Sequence, residues 1–84
     1  AAVVTARRAG TTTTLDQINR FFLWGHMPII PSRYWNLVHG QTAEQVLSDT
    51  EGIRNLKILA KNMVWFLRCK EAGVNAGVQP PDYD

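Results

Sequence analysis

The sequence predicts an α/β fold, and two apolar runs joined by an amphipathic helix are what predict it. The chain opens on Ala1-Ala2-Val3-Val4, breaks into the polar stretch Thr5-Ala6-Arg7-Arg8-Ala9-Gly10-Thr11, and turns helical near Thr13. A second apolar run, Met27-Pro28-Ile29-Ile30-Pro31, follows that helix. Strand, helix and strand in that order make a βαβ unit with parallel strands and a right-handed crossover. Such sheets bind ligands at the carboxyl ends of their strands, so residues 5–11 are the place to seek function.

Each element has its own warrant. Thr11, Thr12, Thr13 and Thr14 offer hydroxyls for the unpaired N–H groups of a helix start, with Thr13 or Thr14 the expected cap. Leu15, Ile18 and Phe22 then recur at helical spacing as a core-facing stripe, and Gly25 should end the helix. Residues 26–31 read as a short buried strand. Its two prolines remove ladder donors and place it at a sheet edge. Residues 32–40 carry Arg33, Tyr34, Trp35, Asn36 and His39 in no period, which reads as an irregular loop.

Thr42 with Gln45 three residues on has the form of a capping box and opens a short helix to about Asp49. A longer helix is expected from about Thr50 to Ala72. Its stripe Ile53, Leu56, Ala60, Met63, Val64 and Leu67 should lie on the sheet. Ile58, Leu59, Trp65 and Phe66 widen the apolar surface and call for another cover. Residues 1–72 are thus the domain portion, and 73–84, with Gly73, Gly77, Pro80 and Pro81, a polar tail.

Composition bounds the rest. With 84 residues, 45% hydrophobic content and three tryptophans, the chain has material for one small core. A domain this short buries only about 60% of its unfolded surface, so a sheet of many strands does not fit within it. The expectation is a segment of a larger protein, opening inside a strand without a methionine. Two strands with open edges and a widely apolar helix also predict a homo-oligomer.

Nine Lys and Arg against seven Asp and Glu leave a net charge of +2, spread along the chain. Arg54, Lys57, Lys61 and Arg68 recur at helical spacing, which reads as a solvated helix face and not as a nucleic-acid surface. The single cysteine, Cys69, forms no intrachain disulfide or metal set and reads as an inert packing residue. No apolar run reaches the length of a membrane span, and no signal peptide is recognisable. A cytoplasmic protein is expected. Nucleophile elbow, Walker loop and zinc spacing are all missing, and His26 and His39 lack acidic neighbours in sequence.

The chemistry on offer is therefore that of binding. Arg7 and Arg8 suit an anion or a ring carbonyl at a strand end, or else form an exposed basic loop. Tyr34 and Trp35 could stack on a flat ring or cover the edge of the core. His39, before a glycine in an aromatic loop, is either a ligand contact or a loop histidine bonded to backbone.

The runs Ala2-Val3-Val4-Thr5-Ala6-Arg7-Arg8-Ala9-Gly10 and Met27-Pro28-Ile29-Ile30-Pro31-Ser32-Arg33-Tyr34-Trp35-Asn36-Leu37-Val38-His39-Gly40, with the long helix ending in Lys70-Glu71-Ala72-Gly73, resemble the carboxyl-terminal half of the flavodoxin-like NADPH-dependent FMN reductases. Within that family the likeness is to the iron–sulfur-flavoprotein and multimeric-flavodoxin type. The resemblance implies the last two parallel strands and flanking helices of a doubly wound sheet. It also implies non-covalent FMN and transfer of reducing equivalents from NAD(P)H to flavin or quinones. Thr5, Ala6, Arg7, Arg8, Ala9, Gly10 and Thr11 would run along the isoalloxazine ring, and Tyr34, Trp35 and His39 would border the flavin pocket or a subunit interface. The family's phosphate loop and cluster cysteines are absent from these 84 residues, so the 84-residue chain is expected to be inactive alone. The competing expectation is a small self-associating protein-interaction module without catalysis.

Overall fold

Two short strands, β1 (Val4–Ala6) and β2 (Leu37–His39), pair in parallel in the computed structural model, which describes residues 1–83. Their register sets Val4 opposite Leu37, Thr5 opposite Val38 and Ala6 opposite His39. Between them runs α1 (Thr11–Trp24), and after them come α2 (Ala43–Ser48) and α3 (Thr50–Asn75). The mixed α/β class is as predicted, and the sheet of the described residues has two strands.

The second strand is not where the apolar run 27–30 placed it. Met27-Pro28-Ile29-Ile30-Pro31 forms no strand, and β2 lies in the segment read as irregular. Parallel pairing needs a donor at alternate positions, and Pro28 and Pro31 have none to give. Residues 37–39 keep theirs and are continued at both ends of the ladder, Val4 N–H donating to the Asn36 carbonyl at 3.0 Å and Gly40 N–H to the Ala6 carbonyl at 3.1 Å. The first strand likewise starts at Val4 and not at Ala1, because its partner offers only three residues to pair with.

α1 begins at Thr11, earlier than a threonine cap would place it. Gly10 is the N-cap, at φ 95° and ψ −7°, a left-handed conformation that glycine adopts without a Cβ penalty. Thr13 and Thr14 fall inside the helix, where the Thr14 hydroxyl donates to the Gly10 carbonyl at 2.9 Å. The stop near Gly25 holds. Met27 N–H returns to the Phe22 carbonyl and His26 N–H to that of Leu23, the two bonds of a Schellman close, which explains the positive φ of His26.

The capping box forms with its return bond displaced by one residue. Thr42 Oγ1 accepts from Gln45 N–H, and the Gln45 side chain accepts in return from Gln41 N–H. α3 runs three residues past Ala72, since the left-handed stop is Gly77 and not Gly73: Val78 N–H bonds the Gly73 carbonyl and Gly77 N–H that of Val74. The polar tail is correspondingly shorter, and Asp84, its last residue, lies outside the described residues.

α1 packs on β1 and α3 on β2. Val4, Leu15 and Leu37 make the core cluster, with Ala2 and Ile18 against it. Val38, whose side chain leaves the opposite face of the strand from Leu37, meets Gly52 at the start of α3. The inward residues of α3 are Gly52, Asn55 and Leu59, continued by the half-buried Asn62 and Phe66. The stripe expected on the sheet is only partly covered: Ile53 and Leu56 are half-buried, while Ala60, Met63, Val64 and Leu67 are exposed. Its apolar count outweighed the true face, because a glycine and two asparagines do not register as core in a hydrophobic pattern. Among the described residues no large side chain is completely buried, and no helix is long and apolar enough to cross a membrane.

Candidate functional site

The loop 7–10 leaves β1 at its carboxyl end and enters α1, beside the carboxyl end of β2. A shallow pocket of about 130 Å³ opens there, lined by Thr5, Ala6, Ala9, Gly10 and Thr11 together with Val4 and Thr14. Five of the seven loop residues singled out from the sequence thus converge. Arg7 and Arg8 are exposed and stand outside that lining. Nothing lies within 4 Å of a Cβ built on Gly10, so the glycine serves the backbone turn and leaves open approach above it. Ligand pockets usually hold about 300–1,000 Å³, so this one fits the edge of a planar ring and not a whole cofactor.

His39, Tyr34 and Trp35 are placed differently. His39 ends β2, its side chain 47% exposed, with its N–H donating to Asp49 Oδ2 at 2.9 Å and its Nδ1 3.8 Å from the same oxygen. Tyr34 and His39 line a second pocket of about 160 Å³ with Asp49, Glu51, Gly52 and Asn55. Trp35 belongs to neither pocket; its ring is tilted 50° to that of Tyr34 with centroids 6.2 Å apart. The sequence-derived set is therefore divided between the strand-end shelf and a pocket beside β2 and α3.

Asp49 is the organising residue of that second pocket. One carboxylate oxygen caps α3 by accepting from Gly52 N–H at 3.0 Å, and the other holds the His39 N–H. These two backbone bonds, the His39 one first, keep its carboxyl below the ordinary aspartate range, with the nearby His39 ring adding to the effect. Sequence reasoning passed over Asp49 as a mere helix boundary. The available signal was an aspartate three residues before a glycine at the start of a periodic stretch.

Asn55 was missed as well, and no pattern marks it. It is 4% exposed, and its side chain has no hydrogen-bond partner among the described residues. No group of three His, Cys, Asp or Glu that could hold a metal occurs among the described residues. Comparison with protein-family models, with curated proteins and with solved structures finds no match to the chain.

Proposed function

We propose that this chain is the carboxyl-terminal part of a flavodoxin-like, cytoplasmic oxidoreductase that binds FMN and takes reducing equivalents from NAD(P)H. The observation that carries this reading is the parallel β1–α1–β2 unit, whose strand ends, Ala6 and His39, are register partners with the loop 7–10 opening beside them. The run Tyr34-Trp35-Asn36 with His39-Gly40 supports it from the sequence side. FMN, when bound, supplies the redox chemistry, accepting hydride and passing electrons to a quinone or similar acceptor. This chain's part is to bind and orient. The backbone of residues 5–11 offers a shelf for the ring edge, and Arg7 and Arg8, exposed on that loop, are available to stabilise negative charge on a reduced ring.

The test is made on the whole flavin-loaded protein. Arg7→Ala and Arg8→Ala should weaken FMN or lower the flavin potential, while stability changes by no more than about 0.5 kcal/mol because both side chains are exposed. A whole protein that stays colourless after incubation with FMN would overturn the reading, as would two variants with unchanged affinity and potential.

A second reading, self-association without catalysis, is favoured by a separate observation. Phe21, Leu23 and Trp24 on α1 and Val64, Trp65 and Leu67 on α3 are exposed, Trp24 at 87%. Leu59 and Phe66, expected on an outer face, point inward instead. Large apolar side chains exposed on a helix are the kind of surface through which proteins associate. Sedimentation at low micromolar concentration should show a dimer or larger, and Trp24→Glu with Trp65→Glu should return it to monomer. A wild-type monomer with cooperative unfolding would remove this reading.

A further inference from the structure

A wider cavity lies away from the strand ends. It is a groove of about 750 Å³ between residues 33–34 and the first two turns of α3, lined by Arg33, Tyr34, Glu51, Arg54, Asn55 and Lys57 with Thr50 and Ile53. The segment above it is held on both sides: Asn62 Nδ2 donates to the Pro31 carbonyl at 2.7 Å, and Tyr34 leads through Trp35 into β2. Three cations face it against the single carboxylate of Glu51, and none of the three is ion-paired among the described residues. Beneath them is Asn55, a residue only 4% exposed, whose side chain has no partner among the described residues and which also lines the neighbouring pocket.

Asn55 lines the groove with no side-chain partner among the described residues, so its amide is available to bond a ligand there. Three unpaired cations that line one groove give it a positive potential that favours an anion. We propose that this groove is a binding site for a phosphate monoester of nucleotide size, with Arg33, Arg54 and Lys57 as counter-ions and the Asn55 NH₂ as the fixed donor. The volume lies within the range of sites that enclose a nucleotide-sized ligand. Tyr34 supplies a flat ring at the mouth for a base or other planar group. Glu51 works against the charge and sets the preference toward ligands that also carry a hydroxyl or amine to meet it. The groove is separate from the shelf at residues 5–11, since no residue lines both.

Two ligands with this chemistry are FMN and adenosine 2′,5′-bisphosphate, the phosphorylated end of NADPH. Both are titrated against the full 84-residue chain at low salt by calorimetry, with the asparagine side-chain amides followed by NMR. Riboflavin and adenosine serve as phosphate-free controls. At least one phosphate ester should bind, its phosphate-free control should bind at least about tenfold more weakly, and the Asn55 NH₂ resonances should move. Tighter binding of FMN assigns the groove to the flavin phosphate, and tighter binding of the bisphosphate to the nicotinamide nucleotide. Arg54→Gln with Lys57→Gln should weaken binding about tenfold, and Glu51→Gln should tighten it a few-fold. Arg20→Gln with Lys70→Gln, and Glu71→Gln, remove the same charges elsewhere and should leave the affinity unchanged. Because these are surface changes, retained amide dispersion distinguishes loss of the site from loss of the fold. Equal binding of the phosphate-free controls, equal weakening by the Arg20 and Lys70 pair, or a silent Asn55 amide would each overturn the proposal. A flavin-free result for the whole protein would leave it standing.

Discussion

Gly52→Ala is expected to destabilise the fold by roughly 1–3 kcal/mol, although alanine is the better helix former by about 1 kcal/mol. The added Cβ would lie 2.5 Å from Asp49 Oδ2 and 2.7 Å from Val38 Cγ1. Neither neighbour can give way cheaply. Val38 is 4% exposed and stiff at χ1, and Asp49 swings aside only by releasing the N–H groups of His39 and Gly52. Steric cost and a lost cap, about 1 kcal/mol more, together exceed the propensity gain. Gly73→Ala is the control, because its Cβ would meet only Val78 Cβ at 3.9 Å, so propensity alone should stabilise by up to about 1 kcal/mol. Urea denaturation of the two variants should therefore move in opposite directions. Matching gains would mean that α3 does not rest on β2 at Gly52.

That contrast also shows why parts of this fold were legible in sequence and others were not. Signals carried by a few adjacent residues came through: Leu15 and Ile18 on α1, the Thr42 and Gln45 exchange, the stop at Gly25. Signals that depend on a distant partner did not. Met27 to Ile30 are more apolar than Leu37 to His39, yet strand pairing is decided by available N–H donors, and the prolines forfeit them. The inward face of α3 is written in Gly52, Asn55 and Asn62, which read as solvent-facing until β2 and the Pro31 carbonyl are set against them. The shelf at residues 5–11 was foreseeable because strand ends are general ligand positions. The groove over Asn55 was not, since its cations come from two segments that only tertiary structure brings together.

Asp49→Ala should cost about 2 kcal/mol at neutral pH, one N-cap bond and one charge-assisted bond to a strand N–H being lost together. The pH dependence makes this specific. The folded carboxyl titrates below the ordinary aspartate range, so the unfolded chain takes up this proton first as the solution is acidified. Stabilisation by Asp49 is thus fully present above the unfolded value of about 3.9 and is lost as pH falls from there through the lowered folded value. The difference between wild type and Asp49→Ala should be constant from pH 7 to about 5 and shrink toward pH 3, while contributions of the other carboxylates cancel in the comparison. Asp49→Asn separates the roles, since its one carbonyl oxygen can cap Gly52 or hold His39 but cannot carry the charge that strengthens both. It should fall between the two and show the flat pH profile of the alanine variant. Amide exchange at His39 gives the local readout: its N–H should lose protection in Asp49→Ala, because the bond that ties the end of β2 to the start of α3 is gone. A stability difference that does not vary with pH would remove the carboxylate from the junction and leave only its shape to explain the cap.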